Sequence, residues 1–132
     1  MDFNLRLNFQ RIIYQGGREV SKHYIVKKIG DISEERSICG FRKRLITEKD
    51  FKEASFTFLS VYEATKHYHK KSTEFYYVLK GKGILELDKE EIKLEPGTLV
   101  MINPGTKHRA IGKVEALIIG IPPFDPTDTY EN

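Results

Sequence analysis

From residue 55 onward the chain alternates apolar and polar positions in short runs rich in Val, Ile, Phe and Tyr, most of them closed by Gly, Pro or Asn. Period-two alternation broken by turn residues is the pattern of half-buried strands in an antiparallel barrel or sandwich. It predicts strands at residues 56–63, 73–80, 83–88, 91–95, 98–102, 108–111 and 114–121. Turn chemistry falls between them: Gly81 and Gly83, then Pro96–Gly97, then the tract Asn103, Pro104, Gly105. Within 73–80 the alternation puts Glu74, Tyr76 and Val78 on one face, toward the interior, and Phe75, Tyr77 and Leu79 on the other. The first 54 residues are less regular. Residues 1–14 and 22–29 alternate in part, 41–46 read as an edge strand, and 48–53 as one helical turn. Pro122 and Pro123 close the last strand, leaving a polar tail over 122–132.

Chemistry concentrates at His67, His69, Glu74 and His108. Imidazoles at i and i+2 on an extended segment point the same way, so His67 and His69 can reach one ion, with Glu74 expected on the paired strand to add an anionic oxygen. The turn at Asn103–Gly105 is placed to aim His108 at the same point. The alternative is a polar strand end, a surface carboxylate and an ordinary turn residue. That alternative does not explain why three of only four histidines fall in this pattern.

These residues follow two motifs. The first, GxxxxxHxHxxxxExxxxxxG, is met by His67, His69, Glu74 and Gly81, with Val61 at the opening glycine. The second, GxxxxxPxGxxHxxxN, is met by Gly97, Gly105 and His108, with Asn103 at the proline position, Pro104 next, and Gly112 at the closing asparagine. In both motifs the chain resembles the cupin superfamily, over residues 55–121. The resemblance implies an all-β, single-domain cupin-type double-stranded β-helix, or jelly-roll barrel, with metal ligands at His67, His69, Glu74 and His108. It also implies that residues 1–54 add edge strands and dimer contacts, that 55–121 form the barrel core, and that the protein is a homodimer. None of the departures from the motifs touches a ligand.

Composition narrows the field. At 132 residues and 39% hydrophobic the chain suits one compact domain. No apolar run is long enough to span a bilayer, and the opening MDFNLRLNFQR lacks the apolar core of a signal peptide, so the expected location is the cytoplasm. The 22 basic and 19 acidic residues are interleaved and net to +3, which argues against nucleic acid as a partner and for a small-molecule substrate. The densest basic cluster, Phe41 to Arg44, makes Arg44 a candidate for a substrate phosphate or carboxylate. Cys39 is the lone cysteine, so no intrachain disulfide forms, and its expected role is a small packed side chain.

Three imidazoles and one carboxylate leave positions for water, dioxygen or a chelating substrate on a divalent transition metal ion. The donor set suits Mn, Fe, Co, Ni or Zn. A closed structural zinc site more usually uses thiolates. Three functions follow: an isomerase or epimerase of a sugar-like hydroxy-carbonyl compound, a metal-dependent dioxygenase, or a non-catalytic small-molecule-binding module. The candidate catalytic residues are Glu74 and Tyr76, with Tyr62 and Arg44 as substrate contacts. Polar and basic candidates of this kind suit an oxygen-rich substrate and favour the isomerase. Oxygen chemistry would instead call for an apolar pocket, for which Phe56, Phe58, Val78 and Ile102 are the candidates.

Overall fold

The computed structural model describes residues 13–15, 18–20 and 23–132. The chain forms two compact units, Met1–Ser33 and Glu34–Asn132. In the first, β1 (Ile13–Gln15), β2 (Arg18–Val20) and β3 (Ile25–Lys27) make an antiparallel meander, Ile13 opposite Val20 and Arg18 opposite Lys27. A 3-10 turn follows at Ile29–Asp31. Most of the alternating segment 1–14 lies outside the described residues.

The second unit is a jelly-roll barrel. Its strands are β4 (Glu35–Ser37), β5 (Gly40–Ile46), β6 (Ser55–Val61), β7 (Thr73–Leu87), β8 (Glu90–Leu94), β9 (Leu99–Ile102) and β10 (His108–Ile121). They hydrogen-bond in the order β4-β5-β6-β10-β7-β8, with β9 also paired to β7. Every pair is antiparallel. The 41–46 segment is an edge only in part: β6 pairs along it, and β4 covers its other side over residues 40–42. The expected helical turn is confined to residues 48–50, with the Asp50 and Phe51 amides both donating to the Thr47 carbonyl.

Two expected breaks are absent. Residues 73–80 and 83–88 form the single strand β7, and 108–111 and 114–121 form the single strand β10. Gly81, Gly83 and Gly112 serve close approach between these two strands, where turns were expected. Gly83 sits opposite Gly112, and a Cβ on Gly83 would run into the Ile111 carbonyl oxygen and come within 2.8 Å of Val114 Cγ2. Gly81 and Gly112 also adopt φ of +87° and +110°, open mainly to glycine.

The bend they permit sets up everything else. Glu74 pairs with Gly120, and Leu87, thirteen residues further along β7, pairs with His108. A straight ribbon would hold those points about 43 Å apart at about 3.3 Å per residue. Yet Glu74 Oε1 lies 3.3 Å from His108 Nε2, so the ribbon curls back on itself. A register shift between Glu115 and Ala116 leaves Leu79 unpaired, and the inward face of β7 changes there from Glu74, Tyr76 and Val78 to Leu85. Leu59, Tyr76, Val78, Leu85, Leu94, Ile102, Ala110, Val114 and Ala116 fill the interior.

Candidate metal centre

His67 and His69 occupy a short extended segment between β6 and β7. Its strand partner is the start of β10, and not the strand of Glu74 as expected. The His67 amide donates to the His108 carbonyl at 3.1 Å and the His108 amide to the His67 carbonyl at 2.8 Å, which holds the two imidazoles side by side, ring centroids 4.4 Å apart. Beyond it, Tyr68 exchanges both backbone hydrogen bonds with Tyr130. Gly105, at φ +88°, donates to the His69 carbonyl, so the Asn103–Gly105 turn clamps the same segment.

The four side chains expected to meet do meet. One ligand atom from each of His67, His69, Glu74 and His108 lies within 4.8 Å of the others, and all four residues are buried. That is close to the span of one coordination sphere, in which bonds of about 2.1 Å put opposed ligands about 4.2 Å apart.

The outer nitrogens explain the inner ones. Nδ1 of His67 donates to the Thr65 carbonyl at 2.8 Å, Nδ1 of His69 to the Asp128 carbonyl at 2.7 Å, and Nδ1 of His108 to the Thr106 carbonyl at 2.9 Å. A carbonyl only accepts, so each Nδ1 carries its hydrogen and each neutral ring turns an Nε2 lone pair inward. Three lone pairs and a carboxylate oxygen then face one another. Glu74 Oε1 approaches His69 Nε2 at 2.5 Å and His108 Nε2 at 3.3 Å, but neither Glu74 Oε1 nor His108 Nε2 makes a hydrogen bond of acceptable geometry. Buried acceptors without donors are costly, and a cation among them removes the cost. The donor set, three nitrogens and one oxygen, fits a divalent transition metal ion.

Electrostatics point the same way. Burial, reinforced by His108, lowers His67 to about 4, so its ring is neutral at physiological pH. Burial alone would raise Glu74, but the His108 and His69 rings outweigh it and hold the carboxyl well below the usual range. Burial would lower His69, and its contact with Glu74 reverses this and raises it.

The cluster borders an open cavity of about 270 Å³. That is near the small end of ligand pockets, which run from about 300 Å³ upward. Its wall combines apolar side chains, Leu59, Ile118 and Phe124, with the hydroxyls of Ser55, Thr57, Ser72 and Thr129. Tyr76 lines it too, 2% exposed, its hydroxyl proton held well above the ordinary phenol value by burial and by Cys39 and Glu74. Tyr62 and Arg44 do not line it. Tyr62 is 51% exposed and packs at a tilt against Phe41, and the Arg44 side chain is 47% exposed and paired with Glu35.

Residues that sequence patterns did not single out hold the cup together. Asp128, 3% exposed, accepts the amides of Lys70, Lys71 and Ser72 through its carboxylate while its carbonyl fixes His69. The polar tail is therefore part of the site. Only the turn-forming run Asp125-Pro126-Thr127 preceding it carried any local signal. Cys39 lines the cavity, its Sγ 3.8 Å from His67 Nε2, and burial pushes its thiol up to about 12. Arg42, not Arg44, is the β5 arginine in the wall.

Residues 59–119 match the model of the cupin domain. With their jelly-roll fold, these residues form a cupin domain. Within this cupin, 67 residues are 37% identical to an uncharacterized protein of Methanocaldococcus jannaschii, covering 48% of this chain and 54% of that one. A further match, 38% identical over 73 residues, is to a glucose-6-phosphate isomerase of Thermococcus gammatolerans, over 48% of this chain and 39% of the isomerase. The cupin thus spans about half or less of the length of the curated relatives it matches. Among solved structures, a protein from Planctomyces limnophilus superposes with a TM-score of 0.75 at 26% identity, over 80% of this cupin and 94% of that chain. Among the described residues, no helix is long and apolar enough to cross a membrane.

Proposed function

We propose that this cupin is a metal-dependent isomerase or epimerase of a sugar-like hydroxy-carbonyl compound. The observation that carries this reading is the set of Nε2 lone pairs, fixed by three Nδ1 hydrogen bonds, converging with Glu74 at the edge of an open cavity. His67, His69, His108 and Glu74 would hold the ion, one of Mn, Fe, Co, Ni or Zn. When bound, such an ion polarises carbonyl and hydroxyl oxygens of the substrate.

The chain supplies the rest. The hydroxyls of Thr57 and Thr129 line the cavity to orient a polyol, and Leu59, Ile118 and Phe124 exclude water from its apolar edge. Tyr76 keeps its proton and donates a hydrogen bond to a substrate oxygen; Glu74, its carboxyl held well below the usual range, would accept a proton from carbon only on leaving the ion. The sequence match to a glucose-6-phosphate isomerase supports this class of substrate. Phe56, Phe58, Val78 and Ile102, the residues expected for an apolar pocket, are not in the cavity wall, whose apolar part is Leu59, Ile118 and Phe124.

The test is aldose–ketose and epimer interconversion, followed by NMR on metal-loaded protein with a panel of sugars and sugar phosphates. Conversion that survives strict anaerobiosis and stops on chelation is expected. Oxygen uptake on substrate addition would transfer the site to the dioxygenases. A ligand that raises the melting temperature without being converted would make the protein a binding module.

A further inference from the structure

We propose that Arg42 forms an anion subsite in the wall of the cup, so that the molecule held at the histidine cluster carries a carboxylate or phosphate. This rests on the reading above only in placing a ligand at that cluster.

Position comes first. Arg42 pairs across β5 and β6 with Leu59, a core residue, and opposed residues of an antiparallel pair share a face, so Arg42 points inward. It lines the same cavity as His67, His69 and Glu74. Among the described residues of that wall, it is the one Lys or Arg.

Its bonding leaves the useful end free. Arg42 Nε donates to Glu35 Oε1 at 2.8 Å, and its guanidinium lies 4.9 Å from the ring centroid of Phe124, itself a wall residue. These two contacts fix the fork. Among the described residues neither Nη has a hydrogen-bond partner, and the sealed, unpartnered side-chain atoms are Glu74 Oε1 and His108 Nε2, not these. The Nη groups are therefore held rigidly and remain open to incoming ligand.

Charge is also left over. Glu35 Oε1 serves both Arg42 at 2.8 Å and Arg44 Nε at 2.7 Å, so one carboxylate is shared by two guanidiniums. A guanidinium with two parallel donors free matches the oxygens of a carboxylate or phosphate, and the interaction strengthens where the wall excludes water. A purely structural role, pinning β4 and Phe124, would require neither free donors nor excess charge.

Three probes with a common ring separate these roles: glucose, glucuronate and glucose 6-phosphate, titrated calorimetrically into metal-loaded full-length protein. The expected result is that one of the charged probes binds at least about tenfold tighter than glucose; which one distinguishes carboxylate from phosphate. Arg42→Leu should bring that ratio within about twofold of unity with metal content unchanged, and Arg44→Leu should leave it as in the wild type. Arg42→Gln repeats the test with a polar side chain beneath Phe124 should the leucine variant fail to fold. Three results would overturn the subsite: no charge preference in wild type, a preference that survives both Arg42 variants, or equal weakening of glucose and the charged probes. The isomerisation assay fails separately. An Arg42-dependent preference without turnover leaves the subsite standing and removes the reaction, whereas turnover of sugars indifferent to Arg42 does the reverse.

Discussion

β7 and β10 each build two different interiors. Glu74 and His108 face the cup, while Leu85 and Val114, on the same two strands, face a dry core at 0% and 3% exposure. In the dry region an inward side chain needs only the right volume. In the cup, each imidazole also needs a partner on its far side that leaves its near side turned to the cluster, and the His69 ring shows both: Nδ1 on the Asp128 carbonyl, Nε2 against Glu74. Stability and function are thus written on one ribbon in separate places, and substitutions should affect them separately.

The comparison breaks most completely at the bend that joins the two regions. Gly83→Val puts side-chain atoms against the Ile111 carbonyl and Val114, so both interiors should be lost together; little folded protein in soluble expression and no cooperative melt by circular dichroism are the expected results. Within the dry region, Leu85→Ala should cost about 2–5 kcal/mol in urea unfolding while the protein still binds metal at full stoichiometry. Within the cup the pattern reverses. His67→Ala and His108→Ala should each lower metal content by about tenfold or more, measured by elemental analysis, with the barrel's circular dichroism retained; full metal in both variants would remove the ligand assignment. The smallest effect sharpens the boundary. Asp128→Ala, which frees the amides of 70–72 and loosens the support of His69 without touching the ion, should weaken metal affinity by about 10-fold to 100-fold, the range for loss of an outer partner.

Much of this was legible in one dimension. The i, i+2 spacing of His67 and His69 and the turn before His108 carried the cluster, because a short-range period suffices to say which side chains share a face. The face of Tyr76 and Val78 could be read the same way. Glycine misled, since the same residue serves a turn and a close backbone approach, and only the partner strand tells Gly83 from a hairpin glycine. Choosing Arg44 over Arg42 failed for a related reason: both share a face of β5, and which of them reaches the cup depends on where that strand lies against β6. Tyr62 sits past the end of β6, where alternation no longer assigns a face. Asp128 was out of reach, for it acts 59 residues away from His69 through a backbone carbonyl that any residue type would carry.

By itself, then, the sequence determined the all-β class, the four residues that cluster and the cupin resemblance, all consequences of local period and of residue chemistry. The tertiary structure alone decided that the ribbon curls until Glu74 meets His108, that the tail props His69, and that Arg42 is the cation facing the cavity. Those are meetings of residues far apart along the chain, and they are set by the bend of β7 against β10 and by strand register, neither of which leaves a periodic trace.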